Sequence, residues 1–256
     1  MCTAVILYRP GHPWPLVFAA NRDEMASRPW LAPGRHWPDR PEVVAGLDRE
    51  AGGSWLGIND DGVLAGVLNR PGSLGPEAGK RSRGELVLEA LDHAEAAEAA
   101  LALSHLDPFA YRSFNLVVAD AQHAFWLRNL GAEEDGGVER FEIAPGLSMV
   151  TAHDLNDESS PRIRTYLPQF RAVPPPDPET GDWRAWESLL ASRGDGSGSN
   201  PMAGMTIVAE RGFGTVSSSL IALPAAPATL DVAPREAIWR FAPGRPDLTD
   251  YEAVAL

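Results

Sequence analysis

Short apolar runs cut off by turn residues fill the first quarter of this chain, and its helix-forming stretch comes only after them. Cys2–Tyr8 is β-rich and closes on Arg9-Pro10-Gly11. Leu16–Ala20 follows across a Pro/Gly connection and leads into Asn21-Arg22-Asp23-Glu24. Prolines 29, 33, 38 and 41 keep helix out of the next segment. Trp55–Asn59 and Val63–Asn69 flank Asp60-Asp61-Gly62, whose Asp-Gly step supplies the positive φ of a tight hairpin. Ser82–Leu103 predicts one helix: Ser82 and Glu85 have capping-box spacing, and Leu86, Leu88, Leu91, Ala94 and Ala97 recur near helical spacing. Strands are expected at Phe114–Ala119, Ala124–Arg128, Val138–Ile143 and Leu147–Thr151, then helices at Pro161–Phe170 and Asp182–Ser192. A Gly/Ser loop at Gly194–Asn200 precedes strands at Met205–Ala209, Thr215–Leu223 and Ala237–Phe241. Strands, then helices, then strands is the order of an α+β fold with mostly antiparallel sheets, not of alternating βαβ units. Without a repeat period or a linker-like stretch, residues 1–256 read as one domain.

Composition removes several function classes. A formal charge of −13, from 22 basic and 35 acidic residues, lacks the basic footprint of a nucleic-acid binder and disfavours docking on anionic lipid. The single Cys forms neither an internal disulfide nor a Cys-rich zinc site, and the six His show no metal spacing, so no metal is expected. Gly194-Asp195-Gly196-Ser197-Gly198 lacks the strand before it and the Lys-Ser/Thr after it that a phosphate loop needs, and no Gly-x-Ser-x-Gly elbow occurs. No stretch approaches the roughly 20 apolar residues of a membrane-spanning helix, and no basic region precedes the first apolar run. The expectation is a cytoplasmic protein with no integral membrane contact and a small-molecule partner, its oligomeric state left open.

The lone thiol matters for its position. If Met1 is removed, Cys2 carries a thiol with a reference pKa of about 8.5 beside an α-amine of about 8. The amine can take the thiol proton, so the nucleophile brings its own base. The plainer alternative is an incidental Cys beside the start. Asn21-Arg22-Asp23-Glu24 places four polar groups at the end of the second strand, too many for a core to satisfy easily. Alternation points Arg22 and Glu24 to one face, Asn21 and Asp23 to the other, unless the segment is only a solvated strand end. An Arg near the thiol favours the thiolate, and a carboxylate orients the ammonium or the Arg. Asn69 and Asn115, at strand ends, are either oxyanion donors or turn caps.

Met1-Cys2-Thr3 together with Asn21-Arg22-Asp23-Glu24 resembles the NRDE family, also called the transport and Golgi organisation protein 2 family. Gly52-Gly53-Ser54-Trp55-Leu56-Gly57, Gly66-Val67-Leu68-Asn69-Arg70, Ser113-Phe114-Asn115-Leu116 and Phe213-Gly214-Thr215-Val216-Ser217-Ser218 resemble further family segments. The family pattern has Arg where this chain has Val216, which puts an anion-binding role there in doubt. The family is distantly similar to N-terminal-nucleophile hydrolases of the choloylglycine hydrolase and penicillin acylase type. That implies a four-layer α-β-β-α sandwich of two mostly antiparallel sheets. By position, the resemblance implies Cys2 as nucleophile, Arg22 and Asp23 as its electrostatic supports, and Asn69 and Asn115 as oxyanion donors. Asn21, Glu24 and Trp55 fall on the substrate side, and the choice of Asp23 over Glu24 stays open.

Two functions compete. One is an N-terminal-cysteine amidohydrolase or acyl-transfer enzyme acting on a small amide or acyl substrate, with no cofactor. The alternative is a haem- or acyl-lipid-handling carrier on the same scaffold, with the eight Trp and the Trp30–Trp37 segment lining its pocket. A hydrolase scaffold retained without catalysis is a third reading, because fold alone does not establish a reaction.

Overall fold

The computed structural model describes residues 2–131, 137–194, 203–208, 212–226 and 235–256. The chain begins with β1 (Thr3–Tyr8), β2 (Leu16–Met25), β3 (Trp30–Gly34), β4 (Val43–Asp48), β5 (Leu56–Asn59) and β6 (Leu64–Asn69). Helices α1 (Gly84–Leu91) and α2 (Ala96–Ser104) follow, then β7 (Phe114–Ala119), β8 (Ala124–Asn129), β9 (Glu139–Glu142) and β10 (Gly146–Val150). Helices α3 (Pro161–Ala172) and α4 (Arg184–Leu190) precede β11 (Phe213–Leu223), β12 (Ile238–Ala242) and β13 (Glu252–Ala253).

Among the described residues these strands make two sheets, ordered β10-β1-β2-β11-β12-β13 and β3-β4-β5-β6-β7-β8-β9, with every neighbour antiparallel. Three apolar clusters stack them into layers. Ile6, Phe18, Leu56, Leu64, Val117 and Ile221 meet between the sheets. Val43, Val63 and Leu116 turn outward onto Leu86, Leu91 and Leu103 of α1 and α2. Val5, Val17 and Leu220 turn outward onto Ile163, Tyr166 and Trp186 of α3 and α4. Neighbours such as Val5 and Ile6, or Val17 and Phe18, therefore serve opposite faces, both covered. Central strands such as β1 accordingly read as continuous apolar runs. The result is the α-β-β-α sandwich that the resemblance implied.

Two expectations need correction. The stretch 82–103 is not one helix. It breaks after Leu91 because the sheet beneath captures its backbone: Asn59 Nδ2 donates to the carbonyls of Leu91 (2.9 Å) and His93 (2.8 Å), and Asp120 Oδ2 accepts the Ala96 N–H (2.8 Å). The capping box is absent as well. Ser82 Oγ accepts from Gly84 N, and the Glu85 carboxylate turns to Arg81. The strand expected at 205–209 is irregular over 205–208, with 209 outside the described residues. Its polar groups go to Asn21, Ser192 and Thr215 instead of a ladder. Residues 195–200 of the expected Gly/Ser loop also lie outside the described residues.

Candidate active site

Cys2 stands one residue ahead of β1. Since Thr3 lies opposite Asn21, the register continues to place Cys2 opposite Arg22. Its Sγ lies 3.7 Å from the Asp23 carbonyl oxygen. The thiol faces a cleft of about 510 Å³, bounded by the end of β2, Trp55 and the segment 74–84. Beneath it, between the sheets, is an apolar cavity of about 20 Å³ walled by Ala4, Phe18, Leu56 and Leu68. Burial, and then the negative charge of Asp23, push the thiol pKa above its ordinary value, while Arg22 pulls it back.

β2 runs past its apolar part because β11 pairs along its length, from Phe213 opposite Met25 to Leu223 opposite Leu16. Asn21-Arg22-Asp23-Glu24 therefore lies inside a strand and divides by alternation, as its period of two predicts. Arg22, 5% exposed, lies over the Trp55 ring at 4.1 Å, and Glu24 beside it lines the cleft. On the other face, Asn21 Nδ2 donates to the carbonyls of Leu190 (3.0 Å) and Met205 (2.9 Å), and Ser218 donates to its Oδ1. Asp23, 1% exposed, accepts from Arg162 (3.0 Å) and Thr215 Oγ1 (2.6 Å), and the same arginine donates to Thr3.

A bulge in β11 serves both faces. Thr215 pairs with Asp23 and Ser217 with Arg22, so Val216 is the extra residue. Regular alternation would send Thr215 and Ser217 the same way. The bulge instead aims Thr215 at Asp23 on the helical side and Ser217 at the small cavity under Cys2.

Trp55 owes its place to glycine. A Cβ on Gly46 would lie 2.3 Å from the indole, so the ring lies directly on the backbone of β4. A Cβ on Gly53 would lie 2.5 Å from the Gly84 carbonyl carbon, and Ser54 N donates to Gly84 O at 3.0 Å. These close approaches bring the start of α1 to the cleft.

Cys2, Arg22, Glu24, Trp55 and Asn69 thus share the cleft wall, while Asn21 and Asp23 support it from behind. Asn115 does not join them. Its Nδ2 donates to the carbonyls of Thr151 (2.9 Å) and His153 (2.8 Å), and its Oδ1 accepts from Arg70 and Trp126. Both donors are engaged in tying β7 to the turn after β10. Trp30 packs edge-on against Trp55 and Phe241 between the sheets, and Trp37 packs against the α1–α2 layer. Of the eight tryptophans, Trp55 lines the cleft. Among the described residues no group of His, Cys, Asp and Glu is placed to hold a metal ion, and no helix is long and apolar enough to cross a membrane.

Sequence reasoning missed Arg162 and Arg83. Both carry the same local signal, a cation at the start of a helix, where the dipole resists positive charge. What the sequence does not show is their different partners: the carboxylate that answers Arg162 lies 139 positions away.

The model of the family described as Transport and Golgi organisation 2 matches residues 1–180. The Transport and Golgi organization protein 2 homolog of Homo sapiens is 38% identical over 114 residues, covering 43% of this chain and 40% of that protein. The Bos taurus homolog is 39% identical over 110 residues, covering 41% of this chain and 38% of its own length. The aligned stretch thus spans well under half of these relatives. Among solved structures, an N-acylethanolamine-hydrolyzing acid amidase ortholog from Caenorhabditis elegans superposes with a TM-score of 0.59 at 13% identity, covering 90% of this chain and 96% of its own. Penicillin V acylase from Agrobacterium tumefaciens gives a TM-score of 0.53 at 14% identity, covering 96% and 93%. At such identities the likeness is one of fold.

Proposed function

The chain belongs to the Transport and Golgi organisation 2 family, and on that premise we propose that it is an N-terminal-cysteine hydrolase or acyl-transfer enzyme for a small amide or acyl substrate. The observation that carries this reading is the placement of the chain's one thiol on the wall of the cleft, opposite Arg22 and 3.7 Å from the Asp23 carbonyl oxygen. The two solved structures named above, an acid amidase ortholog and a penicillin acylase, support it through their fold.

The chemistry begins with removal of Met1. The freed α-amine of Cys2 takes the thiol proton, and the thiolate attacks the substrate carbonyl to form a C–S bond. Asn69, on the cleft wall, donates to the oxyanion. Collapse breaks the C–N bond, and the leaving amine takes the proton from the Cys2 ammonium. Water, deprotonated by the same amine, then cleaves the thioester and the thiol regains its proton. Arg22 holds the developing thiolate by charge. Asp23, fixed by Arg162 and Thr215, keeps the strand end in place. Burial favours the protonated thiol, and in this scheme the α-amine of Cys2 is the base that takes its proton.

Intact mass of the natively expressed protein reports whether Met1 is removed. A panel of N-acyl amides then reports turnover and a Cys2-linked acyl adduct, both lost in Cys2→Ala. Retention of Met1, with no Cys2-dependent turnover or adduct, would sink the reading. The tryptophan-lined carrier pocket draws no comparable support, since Trp30 and Trp37 pack into the core layers.

A further inference from the structure

The charge on the cleft wall runs against the charge of the chain. The protein is −13 overall, yet among the described residues six cationic side chains and four carboxylates line the cleft before Cys2. Some of these cations are answered. Arg28 pairs with Asp48 at 2.8 Å, Arg81 with Glu85 and Glu89 at 2.7 Å each, and Arg112 donates to the Gly72 and Leu74 carbonyls with Glu77 at 3.4 Å. Arg83 is not answered in that way. It donates to Ser73 Oγ (2.7 Å) and the Ser113 carbonyl (3.1 Å), both neutral, and pairs with no carboxylate among the described residues. Arg22 also leaves its buried Nη1 without a hydrogen-bond partner, and its nearest carboxylate, Glu24, is 4.0 Å away.

Arg83 is also poorly placed for a structural cation. It sits at the start of α1, where the helix dipole opposes positive charge, and its side chain caps nothing. Burial pulls its pKa down to about 10, so it stays charged at neutral pH while lacking a counter-ion. The Cys2 thiol and Glu24 lie within its electrostatic reach. The small cavity on the other side of Cys2 is apolar and holds about one water. The wide cationic side is therefore where a charged group has room.

We propose that the molecule bound in this cleft carries an anion, a carboxylate or a phosphate, and that Arg83 is the group that reads it, with the buried charge of Arg22 adding to the positive field on that side. A guanidinium offers two parallel N–H donors to either anion. The inference rests on the proposed function only in making that molecule a substrate; the anion site itself does not need turnover.

The test uses the chain's single cysteine. Alkylation of Cys2 by iodoacetamide, followed by intact mass, reads occupancy of the cleft without requiring hydrolysis. N-acetylglycine and the N-acetyl amide of phosphoethanolamine are compared, as protectants, with neutral N-acetylglycinamide. The anionic probes should protect at concentrations roughly tenfold lower or better, and the margin should shrink at high salt. Whichever anion protects at the lower concentration identifies the preferred head group. Arg83→Met should erase the margin and Arg83→Lys retain part of it. Equal protection by neutral and anionic probes, no protection by any probe, or an unchanged margin in Arg83→Met overturns the proposal. Should Arg83→Met fail to fold, a wild-type margin that does not respond to salt overturns it too. Protection by anions without any amide turnover would keep the anion site and remove the hydrolase.

Discussion

Arg162 and Arg83 each bring positive charge to the start of a helix, where the dipole resists it, and they meet different ends. Arg162, in the first turn of α3, is buried and donates to Asp23 at 3.0 Å and to Thr3, joining α3 to β2 and β1. Arg83, at the start of α1, is half-buried and among the described residues donates to neutral oxygens alone. A charge in an unfavourable place is structural where a carboxylate of the chain answers it. Where none does, and a cleft stands open beside it, the charge is available to a ligand. The same division runs through β2, where Asn21 and Asp23 are satisfied by the helical layer while Arg22 and Glu24 face the cleft.

The strongest way to break this comparison is to delete both cations. Arg162→Met strands the Asp23 carboxylate at 1% exposure and should lower unfolding stability by about 3–5 kcal/mol in urea melts. Adding Asp23→Asn should recover part of that loss. Arg83→Met should lower stability by no more than about 1 kcal/mol, since it strands no charge. Equal losses in the two single variants would erase the distinction.

The next contrast is between two asparagines. Asn115→Ala leaves the Thr151 and His153 carbonyls without their donor and should lower stability by about 2 kcal/mol. Asn69→Ala should leave the melting temperature near wild type and cut amide turnover about a hundredfold. The reverse pattern, with Asn115→Ala silent in melts but inactive, would return the oxyanion role to Asn115.

These assignments show what was legible in the sequence. The 56–69 hairpin was, because an Asp-Gly turn between apolar runs is local information, and so was the split of Asn21-Arg22-Asp23-Glu24 between faces, because strand alternation is local too. The four layers came from resemblance rather than from periodicity. The helix break at 92–95 was not legible, because Asn59 and Asp120 impose it from distant strands. Asn115 looked like Asn69 in sequence, each at a strand end beside the other in the ladder between β6 and β7. The ladder puts them on opposite faces, Asn69 opposite Phe114 on the α1–α2 side and Asn115 opposite Leu68 between the sheets, where the carbonyls of the 151–153 turn engage it. The bulge at Val216 also had no local mark, since its effect is to aim Thr215 and Ser217 at two different faces of a neighbouring strand.

The smallest effect expected is at Cys2, and it tests the division within β2 by titration. Burial first, then Asp23, raises the thiol pKa, and Arg22 opposes them. The native state therefore holds the thiol proton more tightly than the unfolded chain, whose value is about 8.5. Sign follows from linkage: the contribution is complete below the unfolded pKa and is lost as pH rises through the higher folded one. Wild type should accordingly lose stability relative to Cys2→Ala above about pH 8.5, by about 1.4 kcal/mol for each pH unit separating the two pKa values. Alkylation of Cys2 should titrate in the same window. Arg22→Met should move that midpoint upward, because it removes the opposing charge. Asp23→Asn, combined with Arg162→Met so that no buried charge is left alone, should move it downward. A midpoint in the ordinary thiol range that neither change moves would mean that Cys2 titrates as a solvated thiol. Arg22 would then be as structural as Asp23, and the two faces of the strand would no longer differ in kind.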